Sequence, residues 1–105
     1  MTSVKFLSNS ESLYGFEIKG HSSVDFDDFE GKIVCSAVSS AAYMTANTIT
    51  EIIGDKCEID VDDALMRVKV INPSQQTSVV LKGLKLHLTE LSKQYSKRIK
   101  ITTEV

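Results

Sequence analysis

The sequence predicts one α+β domain over residues 1–105, a two-layer sandwich in which two helices pack on one face of a largely antiparallel sheet. Three observations predict this class. The length of 105 residues suits a single domain. The 42% of apolar residues and 25% of charged residues are typical of a globular protein with its own core. Segments of alternating apolar residues are separated by two segments with helical spacing, in the order β-β-α-β-β-α-β.

The first two strands form a predicted hairpin. Alternating apolar residues mark both of them: Val4 and Phe6, then Tyr14, Phe16 and Ile18. Residues 8–12, rich in serine and asparagine, are typical of a turn. Gly20 ends the second strand, and His21 follows it directly. Residues 22–32 have no clean period and contain four acidic residues, so we expect a loop there.

A helical period begins at Ile33 and continues to about Ile53. Apolar and small residues recur there at every third or fourth position, with Ala37 and Ile49 beside them: Val34, Val38, Ala41, Thr45, Thr48 and Ile52. Serine and alanine residues between positions 36 and 42 allow close packing against a neighbour. Gly54 and Asp55 are a suitable C-terminal stop.

The second half of the chain follows a similar plan. A second predicted hairpin has apolar residues on both sides of the turn Asp62–Asp63: Cys57, Ile59 and Val61, then Ala64, Met66, Val68 and Val70. Asn72 is a suitable N-cap and Pro73 a suitable first residue for a second helix. We expect its buried stripe to consist of Val80, Leu84, Leu88, Leu91 and Tyr95. Ile99, Ile101 and Thr103 alternate in a last short strand.

Composition excludes several classes of protein. No apolar run approaches the ~18 residues that span a bilayer, and the first residues lack the layout of a signal peptide. We therefore expect a cytoplasmic protein without membrane contact. The two cysteines are too few for a disulfide scaffold. Together with two scattered histidines they do not form the pattern of a metal site, so we expect neither a metal nor another cofactor.

The charge distribution is strongly asymmetric. Residues 1–63 contain 12 acidic and four basic residues, a net charge of −8, whereas residues 64–105 contain eight basic and two acidic residues, a net charge of +6. One interpretation is two solvated surfaces of opposite sign. The other is self-complementary contact, which the small-residue face of the first helix also permits. Because two-fold dimers are the commonest oligomers, we predict a homodimer.

Cys35 is the candidate nucleophile. It falls in the first turn of the predicted first helix, where unpaired backbone N–H groups and partial positive charge favour a thiolate. Lys32, three residues earlier, adds positive charge nearby. The thiolate is the reactive form of cysteine. The alternative is an inert buried thiol, which is common in protein cores.

His21 is the candidate general base. A strand end and a helix start can lie at the same edge of a two-layer sandwich, so His21 and Cys35 can meet. An imidazole within hydrogen-bond reach of a thiol accepts its proton and later protonates the leaving amine. The alternative is an ordinary surface histidine, because the spacing of 14 residues is not diagnostic.

Gly20-His21 and the segment Ile33-Val34-Cys35-Ser36-Ala37-Val38-Ser39 resemble the ribosomal-processing cysteine protease family (Prp) of certain bacteria. The similarity in length and element order extends over essentially the whole chain. The resemblance implies a protease that removes a short N-terminal extension from a protein of the large ribosomal subunit. It implies Cys35 as nucleophile and His21 as base, and it also points to a dimer. Ser39 matches a family serine one helical turn after the cysteine.

One position departs from the family pattern. The family often has an acidic residue directly before Ile-Val-Cys, where this chain has Lys32. If that acid orients the dyad, another group must do so here, and Asp27, Asp28 and Glu30 are the candidates. We expect the oxyanion of the reaction to be held by backbone N–H groups near Cys35 and Ser36.

The predicted loop suits a basic ribosomal protein as substrate. Asp25, Asp27, Asp28 and Glu30 form a negative rim beside the site, and opposite charge speeds encounter. Phe26 and Phe29 can cover apolar substrate side chains. The alternatives are a merely solvated acidic surface and aromatic side chains that fix the loop to the body. The candidate substrate-binding residues are thus Asp25, Phe26, Asp27, Asp28, Phe29, Glu30, Ser36 and Ser39.

The remaining polar residues have simpler interpretations. Cys57 is expected in the core, and His87 is expected to be a solvated or half-buried histidine on the second helix. The acidic residues at positions 60–63 lack the ligand spacing of a calcium loop. A basic cluster at Lys93, Lys97, Arg98 and Lys100 is either a charged helix end or a contact for RNA phosphates. The rival to a protease is therefore a non-catalytic module that binds the ribosome or RNA.

Overall fold

The computed structural model describes residues 1–10, 12–22 and 25–105. Its elements occur in the predicted order: β1 Thr2–Asn9, β2 Ser12–Lys19, α1 Phe29–Asn47, β3 Cys57–Asp62, β4 Leu65–Val70, α2 Gln75–Gln94 and β5 Ile99–Glu104. A π-helical segment, Thr48–Ile53, extends α1 to Gly54, whose left-handed conformation ends the helix as predicted. Of the helices described, none has the length and apolar character needed to cross a membrane.

The five strands form one sheet in the order β3-β4-β2-β1-β5. The two predicted hairpins pair antiparallel, and β2 joins them by pairing antiparallel with β4. The last strand pairs parallel with β1, since the crossover through α2 brings β5 to the free edge of β1. The predicted α+β class with a largely antiparallel sheet is confirmed.

The core lies between the sheet and both helices. Phe6 of β1 faces Phe16 of β2 in the register, with ring centroids 6.4 Å apart, and both side chains are fully buried. The largest fully buried side chains come from both layers: Phe6, Phe16, Ile49, Leu81, Leu88, Val4, Val34, Val38 and Val68. Gly15 keeps the central strands close, because a Cβ there would lie 2.3 Å from the carbonyl oxygen of Val68.

Helix α1 begins at Phe29, four residues before the predicted start at Ile33. The Asp28 carboxylate is the cap, and its Oδ1 accepts from the Gly31 N–H at 3.0 Å. The prediction of a loop over residues 22–32 is therefore wrong for its last four residues. The sequence obscured this start because the first turn is exposed except for Gly31 and carries no apolar stripe. As a result Cys35 lies in the second turn, and the predicted placement in the first turn is wrong.

Helix α2, in contrast, begins later than predicted. Ser74, not Asn72, is the N-cap, and its Oγ accepts from the Thr77 N–H at 3.3 Å. Asn72 instead adopts a positive φ of 53°, which asparagine tolerates better than most residues. Asp55 supports this start, since its Oδ2 accepts from the Ser74 N–H, the Ser74 hydroxyl and the Thr77 hydroxyl.

The buried stripes of the two helices differ in part from the predicted ones. On α1, Val34, Val38, Thr45 and Ile49 are buried as expected, whereas Ile52 is 80% exposed. On α2 the stripe includes the fully buried Leu81, one position after the predicted Val80, which is only half-buried. Leu84 and Leu88 are buried as expected, and Leu91 and Tyr95 are half-buried against the core.

Candidate active site

His21 and Cys35 line the same cleft, a cavity of about 140 Å³ at one edge of the sandwich. His21 comes from the end of β2, and Cys35 comes from α1. The second hairpin also lines this cleft, with Asp62 at the end of β3, Asp63 and Ala64 in the turn, and Leu65 and Met66 at the start of β4. The two candidate catalytic residues, 14 positions apart in the sequence, thus share one concave site.

Gly20 fixes the position of His21. Its φ of +86° lies in the region that glycine favours, and a Cβ would lie 2.6 Å from the carbonyl oxygen of Met1. Its N–H donates to the carbonyl oxygen of Ala64 at 2.9 Å. The turn therefore directs the chain out of β2 beside the start of β4, and His21 is exposed at the mouth of the cleft.

The Cys35 sulfur accepts a hydrogen bond from the backbone N–H of Ser22, with a distance of 3.1 Å between nitrogen and sulfur. A backbone N–H directed at a thiol favours its charged form. This donor replaces the helix N-terminus that the sequence predicted. The predicted oxyanion donors are also wrong, because α1 begins at Phe29. The N–H groups of Cys35 and Ser36 lie beyond the first four residues of the helix and are used within it.

Ser22 is 2% exposed and held by several polar contacts. Its hydroxyl lies 2.6 Å from the Thr2 hydroxyl and donates to the Arg98 carbonyl oxygen at 3.0 Å. Its own carbonyl oxygen accepts from Nη1 of Arg98 at 2.7 Å. The peptide that follows His21 is therefore fixed to β1 and to the segment before β5.

The acidic residues after Ser22 fall into two groups. Asp28 and Glu30 pair with Arg98, at 2.6 Å from Nη1 and 2.9 Å from Nε respectively. These bonds, that of Asp28 above all, raise the pKa of the Arg98 guanidinium further above its usual range. Asp25 and Asp27 are exposed, and Asp25 Oδ1 accepts from the Asp27 N–H at 3.0 Å. The exposed acids of this segment are therefore Asp25, Asp27 and Glu30, and of these three Glu30 is the one paired with Arg98.

Two aromatic side chains flank Lys32. The Lys32 ammonium lies 4.3 Å from the ring centroid of Phe26 and 5.7 Å from that of Phe29, and it donates to the Phe26 carbonyl oxygen. Phe26 is 84% and Phe29 71% exposed, so neither fixes this segment to the body. Lys32, the residue directly before Ile33-Val34-Cys35, therefore binds back to the turn that precedes α1 through the Phe26 carbonyl oxygen.

One face of α1 points into the cleft. Cys35, Ser39 and Tyr43 recur at intervals of four and all line it, whereas Ser36 is exposed elsewhere. Tyr43 was missed in the sequence, although the spacing from Cys35 was the available signal. Asp62 and Asp63 were also missed as cleft residues, because a hairpin turn carries no indication of what it faces.

The other candidates lie away from this cleft. Burial and then the charge of Asp55 raise the pKa of the Cys57 thiol, which packs against the core as predicted. His87 is exposed, in a groove between α1 and α2. In the part of the chain that the structure describes, no three of the His, Cys, Asp and Glu side chains converge as metal ligands would.

This chain is similar to known proteins both in sequence and in structure. The family model described as cysteine protease Prp matches residues 1–100. The ribosomal processing protease Prp from S. aureus, with a covalently linked product peptide, superposes with a TM-score of 0.87 at 18% identity, over 99% of this chain and 100% of that one. The same protein with a substrate peptide gives the same values.

The protein SMU.848 from Streptococcus mutans superposes with a TM-score of 0.84 at 21% identity, over 99% of both chains. At these identities the structures establish the fold, and the family match covers nearly the whole chain. A search of curated proteins gives no significant match.

Proposed function

The chain belongs to the cysteine protease Prp family, and from this premise we propose that it removes the short N-terminal extension of a large-subunit ribosomal protein during ribosome maturation. The similar protein from S. aureus is described as an essential ribosomal processing protease and binds a substrate peptide. The observation that carries the proposal is that His21 and Cys35 line one cleft, with a backbone N–H directed at the Cys35 sulfur.

In the first half of the reaction, an imidazole nitrogen of His21 takes the proton of the Cys35 thiol. The sulfur attacks the scissile carbonyl carbon, and the carbonyl oxygen becomes an oxyanion. When this intermediate collapses, the C–N bond breaks and the imidazolium gives its proton to the leaving amine. The mature ribosomal protein leaves with a new N-terminus, and the extension stays on Cys35 as a thioester.

In the second half, water attacks the thioester. His21 takes a proton from the water, and when the second tetrahedral intermediate collapses, the C–S bond breaks and the imidazolium returns that proton to the Cys35 sulfur. The released carboxylic acid loses its proton to solvent and leaves as a carboxylate. No step requires a metal or an organic cofactor. The oxyanion needs a donor outside the helical hydrogen bonds of α1, and the Ser22 N–H, 3.1 Å from the sulfur, is placed to supply one.

The surroundings of the cleft suit a basic peptide. Asp62 and Asp63 line the cleft itself, and Asp25 and Asp27 lie exposed on the segment that follows Ser22. Opposite charge favours a segment of a basic ribosomal protein over an acidic one. Phe26 and Phe29 offer an exposed apolar surface for side chains beside the scissile bond, and Ser39 contributes a hydroxyl inside the cleft.

We place the active protein in the cytoplasm as a homodimer. Residues 33–50 of the first helix and its π-helical extension contain no charged side chain, although several of them are exposed. A groove of about 690 Å³ runs between α1 and α2, lined in part by Ala37, Ala41, Met44 and Gly83. An exposed helix face without charge suits a second copy of the chain. Sedimentation at micromolar concentration tests this, and a particle with the 11.6 kDa mass of one chain at every concentration would contradict it.

The test of the proposed reaction uses the intact candidate ribosomal protein and mass spectrometry. Wild-type protein should remove the extension and produce one new N-terminus. Cys35→Ala should abolish cleavage and keep the fold, whereas Cys57→Ala, the matched control, should keep substantial activity because Cys57 lies outside the cleft. Cleavage by purified Cys35→Ala protein would end the cysteine-protease mechanism at this residue.

A further inference from the structure

The side chain of Arg98 joins three separate positions around the candidate catalytic residues. Its Nη1 donates to the Ser22 carbonyl oxygen at 2.7 Å and to Asp28 Oδ2 at 2.6 Å. Its Nε donates to Glu30 Oε1 at 2.9 Å. The rigid, planar fork of a guanidinium suits several acceptors at once, whereas a lysine ammonium offers a single point charge. The contact with Asp28 is largely buried, since the two side chains are 23% and 9% exposed.

The backbone of Arg98 holds the same region. Its carbonyl oxygen accepts from the Ser22 hydroxyl at 3.0 Å and from the Thr2 N–H at 2.8 Å. Both oxygens of Ser22 are therefore bound by Arg98, one by the guanidinium and one by the carbonyl group. With Ser22 buried, little freedom remains for the peptide that joins it to His21.

Both partners of the contact at Cys35 depend on these bonds. The Ser22 N–H, which donates to the sulfur, is held through the carbonyl oxygen of the same residue. Helix α1, which carries the sulfur, begins at the cap Asp28, whose Oδ2 binds Arg98 while its Oδ1 accepts from the Gly31 N–H. The Arg98 guanidinium thus fixes Ser22, which donates to the sulfur, relative to the start of α1, which carries Cys35.

We propose that Arg98 is a positioning residue that holds the Ser22 N–H on the Cys35 sulfur and so keeps this thiol reactive. The inference rests on the proposed role of Cys35 as nucleophile. The inference assigns a function to Arg98, one of the basic residues between positions 93 and 100. Arg98 is 63 residues away from Cys35 in the sequence. Lys97, next to it, is exposed.

The test is the pH dependence of alkylation by iodoacetamide in the full-length chain. Tryptic cleavage after Lys32 and Lys56 puts the two thiols on different peptides, so mass spectrometry reports Cys35 and Cys57 separately. In Arg98→Gln, we expect alkylation of Cys35 to be slower than in wild type at neutral pH, by roughly tenfold, because the sulfur loses its fixed donor. Arg98→Lys should lie between this variant and wild type, and Lys97→Gln should match wild type.

Cys57 is the internal control against a merely structural role. A variant that only loosens the fold would speed alkylation of both thiols, whereas loss of positioning slows Cys35 and leaves Cys57 slow. With the substrate, we expect kcat to fall about tenfold to 100-fold with little change in KM, since misplacement of a reacting group has effects of this size.

Two outcomes would overturn the inference. One is a wild-type Cys35 alkylation profile in Arg98→Gln or, where that variant does not fold, in Arg98→Lys. The other is faster alkylation of both thiols. Because alkylation needs no substrate, it decides the role of Arg98 even if the ribosomal protein is not cleaved. Failure of cleavage by wild-type protein would count against the proposed function alone.

Discussion

The backbone N–H of Ser22 points at the sulfur of Cys35 from 3.1 Å. This contact links the segment after β2 to the second turn of α1, and it places His21, one residue earlier, on the same cleft. Helix-terminus electrostatics cannot act strongly at Cys35, because that effect falls off within the first turn. A single oriented peptide from a neighbouring segment takes its place, and the site therefore depends on how that segment is held.

His21→Ala tests the acid–base role directly. The variant retains Cys35 and its Ser22 donor but has no imidazole to take or return a proton. We expect kcat/KM to fall about 100-fold to 10,000-fold, the usual range for loss of a general acid–base group. Cys35 should still be alkylated at raised pH. His87→Ala is the matched control for the chemistry, because His87 lies outside the cleft; since it lines the groove between α1 and α2, its sedimentation is compared with that of wild type as well. Wild-type kinetics in His21→Ala would remove this residue from the mechanism.

Gly20→Ala tests the turn that presents His21. The new Cβ would lie 2.6 Å from the Met1 carbonyl oxygen, on a residue with a φ of +86°. Left-handed backbone at a non-glycine residue costs about 1–3 kcal/mol, so we expect a clear loss of unfolding free energy in chemical denaturation.

The control for Gly20→Ala is Gly83→Ala. Gly83 lies inside α2, and apart from its chain neighbours and the adjacent backbone of its own helix, no described atom is within 4 Å of the position of its Cβ. Alanine stabilises a helix interior by up to about 1 kcal/mol relative to glycine, so this variant should gain stability. Equal stability changes in the two variants would show that the turn at Gly20 is not strained by a side chain.

The sequence was informative about the sheet because alternation reports which face each residue occupies. Phe6 and Phe16 were both assigned to strands from this pattern, and they face each other across β1 and β2. The parallel pairing of β5 with β1 has no such signal, since a period of two is the same in both directions. The start of α1 was missed because Phe29 is exposed and Gly31 disfavours helix, although the capping residue Asp28 was present in the sequence.

The candidate site was predictable only in part. His21 and Cys35 were found from residue chemistry and from the family resemblance, and the structure puts them on one cleft. The contacts of Arg98 with Ser22 and Asp28 span 76 and 70 residues. No local pattern encodes contacts at such separations, because they arise when β5 pairs with β1 and brings the residue before it to the site.

The loss of unfolding free energy at acidic pH should depend on Asp55. Hydrogen bonds from Thr77 and Ser74 lower the pKa of this carboxyl below its ordinary value of 3.8. A group with a lowered folded-state pKa stabilises the protein at pH values above its ordinary value, and this contribution is lost as the pH falls through the folded-state pKa. Asp55→Asn should therefore be less stable than wild type at neutral pH, and the two proteins should converge at strongly acidic pH.

Urea denaturation of both proteins from neutral pH to below pH 3 measures that difference. Glu51→Gln is a suitable control, because Glu51 is an exposed carboxylate on the preceding helical segment. A constant stability difference between Asp55→Asn and wild type over the whole range would mean that the amide disturbs packing and that ionisation of Asp55 contributes nothing.

The acidic segment gives the last prediction. Since Asp28 and Glu30 bind Arg98, the residues left to attract a basic substrate from this segment are Asp25 and Asp27. The double variant Asp25→Asn and Asp27→Asn should raise KM several-fold and leave kcat nearly unchanged, because these side chains are exposed and do not line the cleft. Cleavage by wild-type protein should weaken with added salt, since exposed charges are screened beyond about 8 Å at physiological ionic strength.

A fluorogenic peptide that spans the cleavage site, assayed at low and high salt, measures both effects. The double variant should show a flatter salt dependence than wild type. Glu58→Gln and Asp60→Asn together provide a control of equal charge change, because both residues are exposed on β3 and neither lines the cleft. If all three proteins share one KM and one salt slope, Asp25 and Asp27 form a solvated surface and play no part in guiding the substrate. A KM that rises equally in the two double variants would instead assign the attraction to the net charge of the acidic half.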